Sequence, residues 1–258
     1  MPPLESLNSK PLVAASYSPR DVLSAAWPLF QASLIGCLPL AVIGVAAGAT
    51  PGAEAIASGE PRGFMHNREW WALYVASTLL MLICYGGILR QQLALARGAR
   101  LSPFESMRQS AIGLLGTVGV VLPVTLAVIA GAVLFVLPGL LVLVLCLYAW
   151  VAQIDAGLSP MAAIRRSIEE TRARFFSTAG IVGAAIAAVL VFVLLSGILL
   201  AVVMNLAGVG AGSGHAGLSF SRWVMAGLLS LPVVYMSAVT VSAWMALQAN
   251  PISPRSSG

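Results

Sequence analysis

The sequence predicts an all-α, polytopic integral membrane protein: six transmembrane helices in three tandem units, each an amphipathic helix followed by a hairpin of crossings. Three observations carry this. Only 9% of the 258 residues are charged, against roughly 25% in an ordinary globular chain, too few to cover a soluble protein of this size. Hydrophobic residues make up 59%, gathered into runs of crossing length. A short Leu-Ser-Pro segment recurs between those runs. Together these exclude a disordered chain, a soluble nucleic-acid binder and a typical cytosolic enzyme.

A crossing needs about 20 apolar residues. The first run, about 30–48, follows a lead too long and too weakly basic for a signal peptide, and it reads as a retained signal anchor despite Ala47-Gly48-Ala49. The second, about 70–89, starts at the aromatic pair Trp70-Trp71 and stops at Arg90. From Ala111 to Ile154 there are 44 residues without a charge, about 66 Å as one helix, twice the hydrocarbon core. The chain must therefore turn back. Leu137-Pro138-Gly139 is the expected turn, because proline presets the first central torsion and glycine accepts a positive second one. That gives crossings at about 111–136 and 139–155, with Pro123 a kink. The fifth and sixth runs, about 175–204 and 223–247, are joined by the glycine-rich 208–214, and Pro232 is a second kink.

Orientation follows from the arginines. With both termini cytoplasmic, the inner side holds Lys10, Arg20, Arg90, Arg97, Arg100, Arg108, Arg165, Arg166, Arg172, Arg174 and Arg255, and the outer side only Arg62, Arg68 and Arg222. The positive-inside bias then fixes an even number of crossings. Composition rich in Ala and Gly, with Lys10 the single lysine, fits a GC-rich bacterial genome, hence a multi-pass protein of the bacterial inner membrane. Small-residue ridges are expected to bring helices together: Gly44 and Gly48 in the first crossing, Gly180, Ala184 and Ala188 in the fifth, Ala238, Ser242 and Ala246 in the sixth.

Leu101-Ser102-Pro103 through Ser110 aligns without gaps on Leu158-Ser159-Pro160 through Ser167, and Ser18-Pro19 begins a weaker third copy. Serine can cap a helix whose first turn tolerates proline. The units are then about 18–89, 102–155 and 159–247. In the third, Met161, Ile164 and Ile168 fall on one face. Glu169–Arg172 and Glu170–Arg174 have pairing spacing, and the helix should lie in the membrane interface. Its arginines have two readings: topology signals touching phosphates without selectivity, or a pseudo-symmetric basic ring of Arg20, Arg108 and Arg165 facing an anionic headgroup or an acidic protein partner.

Leu137-Pro138-Gly139, the helix ending at Asp155-Ala156-Gly157, Leu158-Ser159-Pro160 and Ala163-Ile164-Arg165-Arg166-Ser167 together resemble the signature of the membrane-domain family found ahead of bacterial glycerophosphodiester phosphodiesterase domains, and of its YciC-type inner-membrane relatives. The resemblance covers about residues 100–200. Ile168 stands where the family usually carries an aromatic residue. It implies an integral membrane protein connected with the lipid environment; the phosphodiesterase reaction is not carried over.

No catalytic constellation emerges. Cys37, Cys84 and Cys146 lie inside apolar runs without zinc spacing and read as small buried residues. His66 and His215 have no local metal-ligating neighbour, and Glu54, Glu60 and Glu69 read as solvated loop charge. No P-loop or hydrolase motif occurs, so no cofactor or metal is expected. The acid of interest is Asp155: either a helix-terminal carboxylate paired with an arginine, or part of a polar pocket with Gln153, Arg108 and Arg165, with Arg166 nearby. The expected function is non-enzymatic contact of a basic cytoplasmic interface with anionic lipid or a membrane-protein partner, including a second copy. The alternative is a passive transporter or channel lined by Ser230, Ser237, Thr240 and Ser242.

Overall fold

The computed structural model describes residues 16–57, 68–206 and 215–250. Nine helices are found there: α1 Pro19–Ala57, α2 Arg68–Ala96, α3 Pro103–Ile112, α4 Leu114–Leu134, α5 Val136–Cys146, α6 Ala149–Ala156, α7 Pro160–Arg172, α8 Phe175–Leu206 and α9 His215–Ala249. No strand occurs among the described residues. Six segments are long and apolar enough to cross a membrane: α1, α2, α4, α5 with α6, α8 and α9. The all-α, six-crossing reading stands. His66 and the glycine-rich 208–214 lie outside the described residues.

The first unit differs from expectation. Ser18 accepts from the Asp21 N–H at 3.2 Å, but the helix it caps runs unbroken for 39 residues. Among the described residues no separate amphipathic helix precedes the first crossing. Ser102 caps α3 through the Glu105 N–H, also at 3.2 Å, whereas Ser159 makes no side-chain cap on α7.

The reversal between the third and fourth crossings falls at Phe135, not at Leu137-Pro138-Gly139. Phe135 alone is extended, with φ −163° and ψ 148°. Pro138 sits in the first turn of α5, where its missing N–H costs no intrahelical bond. A one-residue link needs close backbones, and Gly139 supplies the approach: a methyl on Gly131 would stand 2.8 Å from the Gly139 nitrogen. Both expected kink prolines, Pro123 and Pro232, remain inside continuous helices.

The fourth crossing is broken at Leu147-Tyr148, between α5 and α6. Inside a bilayer such a break must find internal partners. Ser167 on α7 supplies them: its hydroxyl donates to the Leu145 carbonyl at 2.8 Å and accepts the Tyr148 N–H at 3.2 Å. The serine closing the Leu-Ser-Pro repeat thus mends the helix it folds against.

The interfacial helices pack on the crossing before them, α3 on α2 and α7 on α6. The faces they turn to the bundle are made of small and hydroxylic residues. On α7 the buried stripe is Ala163, Ser167 and Thr171, while Met161 is exposed and Ile164 and Ile168 are only partly buried. On α3 the buried residues are Ser106 and Ser110, positions equivalent to Ala163 and Ser167. Among lipid tails, apolar side chains gain nothing by facing inward, and small polar ones do. The pairing also differs: Arg165 bonds Glu169 at 3.0 Å in place of the expected Glu169–Arg172 and Glu170–Arg174 pairs.

The main core joins α1, α2, α6 and α9 around Trp244, Tyr148 and Leu29, all buried. Cys37 and Cys84 are buried in a second cluster between α1 and α2, and Cys146 is partly exposed. Gly44 and Gly48 meet α2 as expected, Gly44 against Tyr85 and Gly48 against the Met81 sulfur.

Candidate functional site

The arginine-rich end of the bundle is where chemistry collects. α2 and α6 both end in a left-handed glycine, Gly98 at φ 78° and Gly157 at φ 61°. These stops bring Arg97 and Asp155 together. The Asp155 side chain is only 2% exposed yet fully partnered. One oxygen pairs with the Arg97 guanidinium, and the other accepts from Trp244 Nε1 at 3.0 Å and Gln248 Nε2 at 2.7 Å. A buried carboxylate is tolerated only with such partners. It therefore ties three crossings at one point. Arg166 joins from α7, its guanidinium 5.3 Å from the Trp244 ring centre, a cation–π contact.

Of the four residues singled out in the sequence, Asp155 and Arg166 are thus brought together, through Trp244. Arg108 and Arg165 are not: the expected pocket of Asp155 with Arg108 and Arg165 does not form. Arg108 pairs with Glu105 at 3.1 Å and Arg165 with Glu169, both on their own helices and exposed. Gln109 and Arg108 hold the Glu105 carboxyl below its ordinary range by hydrogen bonding to the anion. Arg20 is exposed too. The local pairs win because an acid three or four residues away on a helix is always within reach.

A second network adjoins the first. Tyr17 Oη lies 2.8 Å from Tyr148 Oη and 2.6 Å from Thr178 Oγ1, and burial raises the Tyr17 phenol above its ordinary value. Arg174 stacks on the Tyr17 ring at 5.3 Å and donates to the Asn250 carbonyl. This closes α8 and the end of α9 onto the start of α1.

Sequence reasoning missed Arg97, Trp244 and Gln248 as partners of Asp155, and also the run Arg90-Gln91-Gln92. Gln91 donates to Ser106 at 2.9 Å; Gln92 donates to Ser33 at 3.2 Å and to the Val234 carbonyl at 3.0 Å. Three consecutive polar residues at the end of an apolar run were the available signal.

Two apolar cavities flank α8. One, about 510 Å³, lies between α1, α2, α6, α8 and α9; the other, about 440 Å³, between α1, α8 and α9. They share Val189 and Pro232. The expected hydroxyl stripe on α9 is split: Ser237 and Thr240 line the larger cavity, while Ser230 and Ser242 are buried. Ser230, Ser237 and Thr240 donate to carbonyls of their own helix at 2.6 to 2.9 Å. No group of three or more His, Cys, Asp or Glu side chains able to hold a metal occurs among the described residues. Comparison with family models, curated proteins and solved structures returned no match.

Proposed function

We propose that this is a non-enzymatic, multi-pass protein of the bacterial inner membrane, termini in the cytoplasm, whose basic cytoplasmic interface contacts anionic lipid headgroups. One observation carries the reading. Phe104 and Arg108 on α3, and the equivalent Met161 and Arg165 on α7, stand one turn apart and are exposed; Phe104 is 78% and Met161 73% accessible. An apolar anchor beside a guanidinium suits a helix lying at the boundary between tails and phosphates. The glycerophosphodiester phosphodiesterase membrane-domain resemblance points the same way, toward a lipid-associated role.

Mass spectrometry of the detergent-purified protein with retained lipids tests it beside an Arg108→Gln/Arg165→Gln/Arg166→Gln variant. Loss of one anionic lipid class in the variant supports the reading; identical spectra return the arginines to topology. A second reading, passive passage of an amphipathic molecule, draws on the cavities beside α8. Flux through liposomes containing the purified protein separates the two.

A further inference from the structure

Arg90 is a half-buried cation without a counterion among the described residues. Its Nε is sealed from solvent and has no hydrogen-bond partner among them. The acids on the adjoining helices α6 and α3 are taken, Asp155 by Arg97 and Glu105 by Arg108. An uncompensated guanidinium beside hydrocarbon is strongly unfavourable.

Its surroundings are specific. A terminal Arg90 nitrogen stands 3.0 Å from where a methyl on Gly113 would sit, and the Gln153 amide lies against Gly116, one turn along α4 and roughly 5 Å away. Helices α2, α4 and α6 meet there. Gln153 Oε1 and Trp150 Nε1 are likewise buried without partners. The amide can turn either end to a ligand. Three polar side chains with unmet hydrogen bonds therefore cluster where α2, α4 and α6 meet, Trp150 alone of them lining the larger cavity. Gly113 joins α3 to the crossing-length α4, and the end of a crossing is where a headgroup is met. Trp150 belongs to two surroundings: its Cζ2 edge abuts Gly86, one turn before Arg90 on α2, and its ring lines the 510 Å³ apolar cavity with Tyr85, Leu89 and Val193.

We propose that Arg90, Gln153 and Trp150 hold the phosphate of a single membrane phospholipid whose acyl chain enters the adjoining cavity beside α8. The positive charge selects the phosphate, the unpaired amide and indole direct its oxygens, and the cavity selects a tail. The site is independent of Arg108 and Arg165, so the surface reading above can fail without it.

The test is lipid retention by native mass spectrometry after exhaustive delipidation in detergent, with thermal unfolding recorded for each variant. Wild type is expected to keep one tightly held phospholipid, and Arg90→Gln to reduce its occupancy at least tenfold. Val193→Trp, which fills the cavity and leaves the polar groups in place, should do the same. The Arg108→Gln/Arg165→Gln variant should keep this lipid. If Arg90→Gln does not fold, Val193→Trp decides. Unchanged retention in the folded variants would overturn the proposal. So would stabilisation of lipid-free wild type by inorganic phosphate equal to that given by phospholipid, since the cavity would then contribute nothing.

Discussion

Helices α8 and α9 carry the same kind of small-residue ridge, yet only the α9 ridge is buried throughout; on α8, Gly180 alone of the ridge comes close to a neighbour, Pro19. On α9, Ala238, Ser242 and Ala246 are all buried against α1 and its neighbours. On α8, Ala184 and Ala188 are exposed, and Ile181, Val182 and Ala185 turn inward instead. Half of α9's apolar window is buried, against 22% of α8's. Small residues permit close approach but do not compel it. What separates the two helices is polar fastening. α9 is clasped at Trp244 and Gln248 by Asp155 and at the Val234 carbonyl by Gln92. Among the described residues, the one side-chain hydrogen bond from α8 to another element is Thr178 to Tyr17. α8 is anchored at one end and bordered by cavities along its length.

The comparison can be broken most severely at the clasp. Asp155→Ala should cost about 3 kcal/mol, because it leaves Arg97, Trp244 and Gln248 without their shared acceptor; thermal unfolding in detergent checks this, and Asp155→Asn should lose less. Next comes the ridge: Ala246→Leu should destabilise by about 2 kcal/mol through overpacking, read in the same assay. Removing α8's single fastening by Thr178→Val should cost about 1 kcal/mol and should raise amide exchange in the first turns of α8 more than in α9. The smallest effect belongs to Ala184→Leu, within about 0.5 kcal/mol of wild type, since that side chain already faces outward. A large loss there would mean that α8 is packed more tightly than its exposure indicates.

The crossings were legible because hydrocarbon thickness and charge exclusion act on composition, which any window of sequence records. The turn was misplaced by the same logic applied in the wrong solvent: Pro138-Gly139 would mark a turn in water, but here proline opens a helix and glycine lets two backbones touch. The inward face of α7 was not legible, since Ala163, Ser167 and Thr171 are small residues that carry no hydrophobic signal. Asp155 stood out as an isolated acid at a helix end. Its partners did not, because Arg97 lies 58 residues before it and Gln248 93 after, and nothing local links them. Arg108 and Arg165, chosen for their place in the repeat, are satisfied by neighbours that spacing alone could have named.

The Asp155 clasp also has an order in time. A ribosome delivers Arg97 and Asp155 early and Trp244 and Gln248 nearly a hundred residues later, so during synthesis the carboxylate holds one oxygen in reserve. Helix α9 then arrives at a half-made socket and completes it.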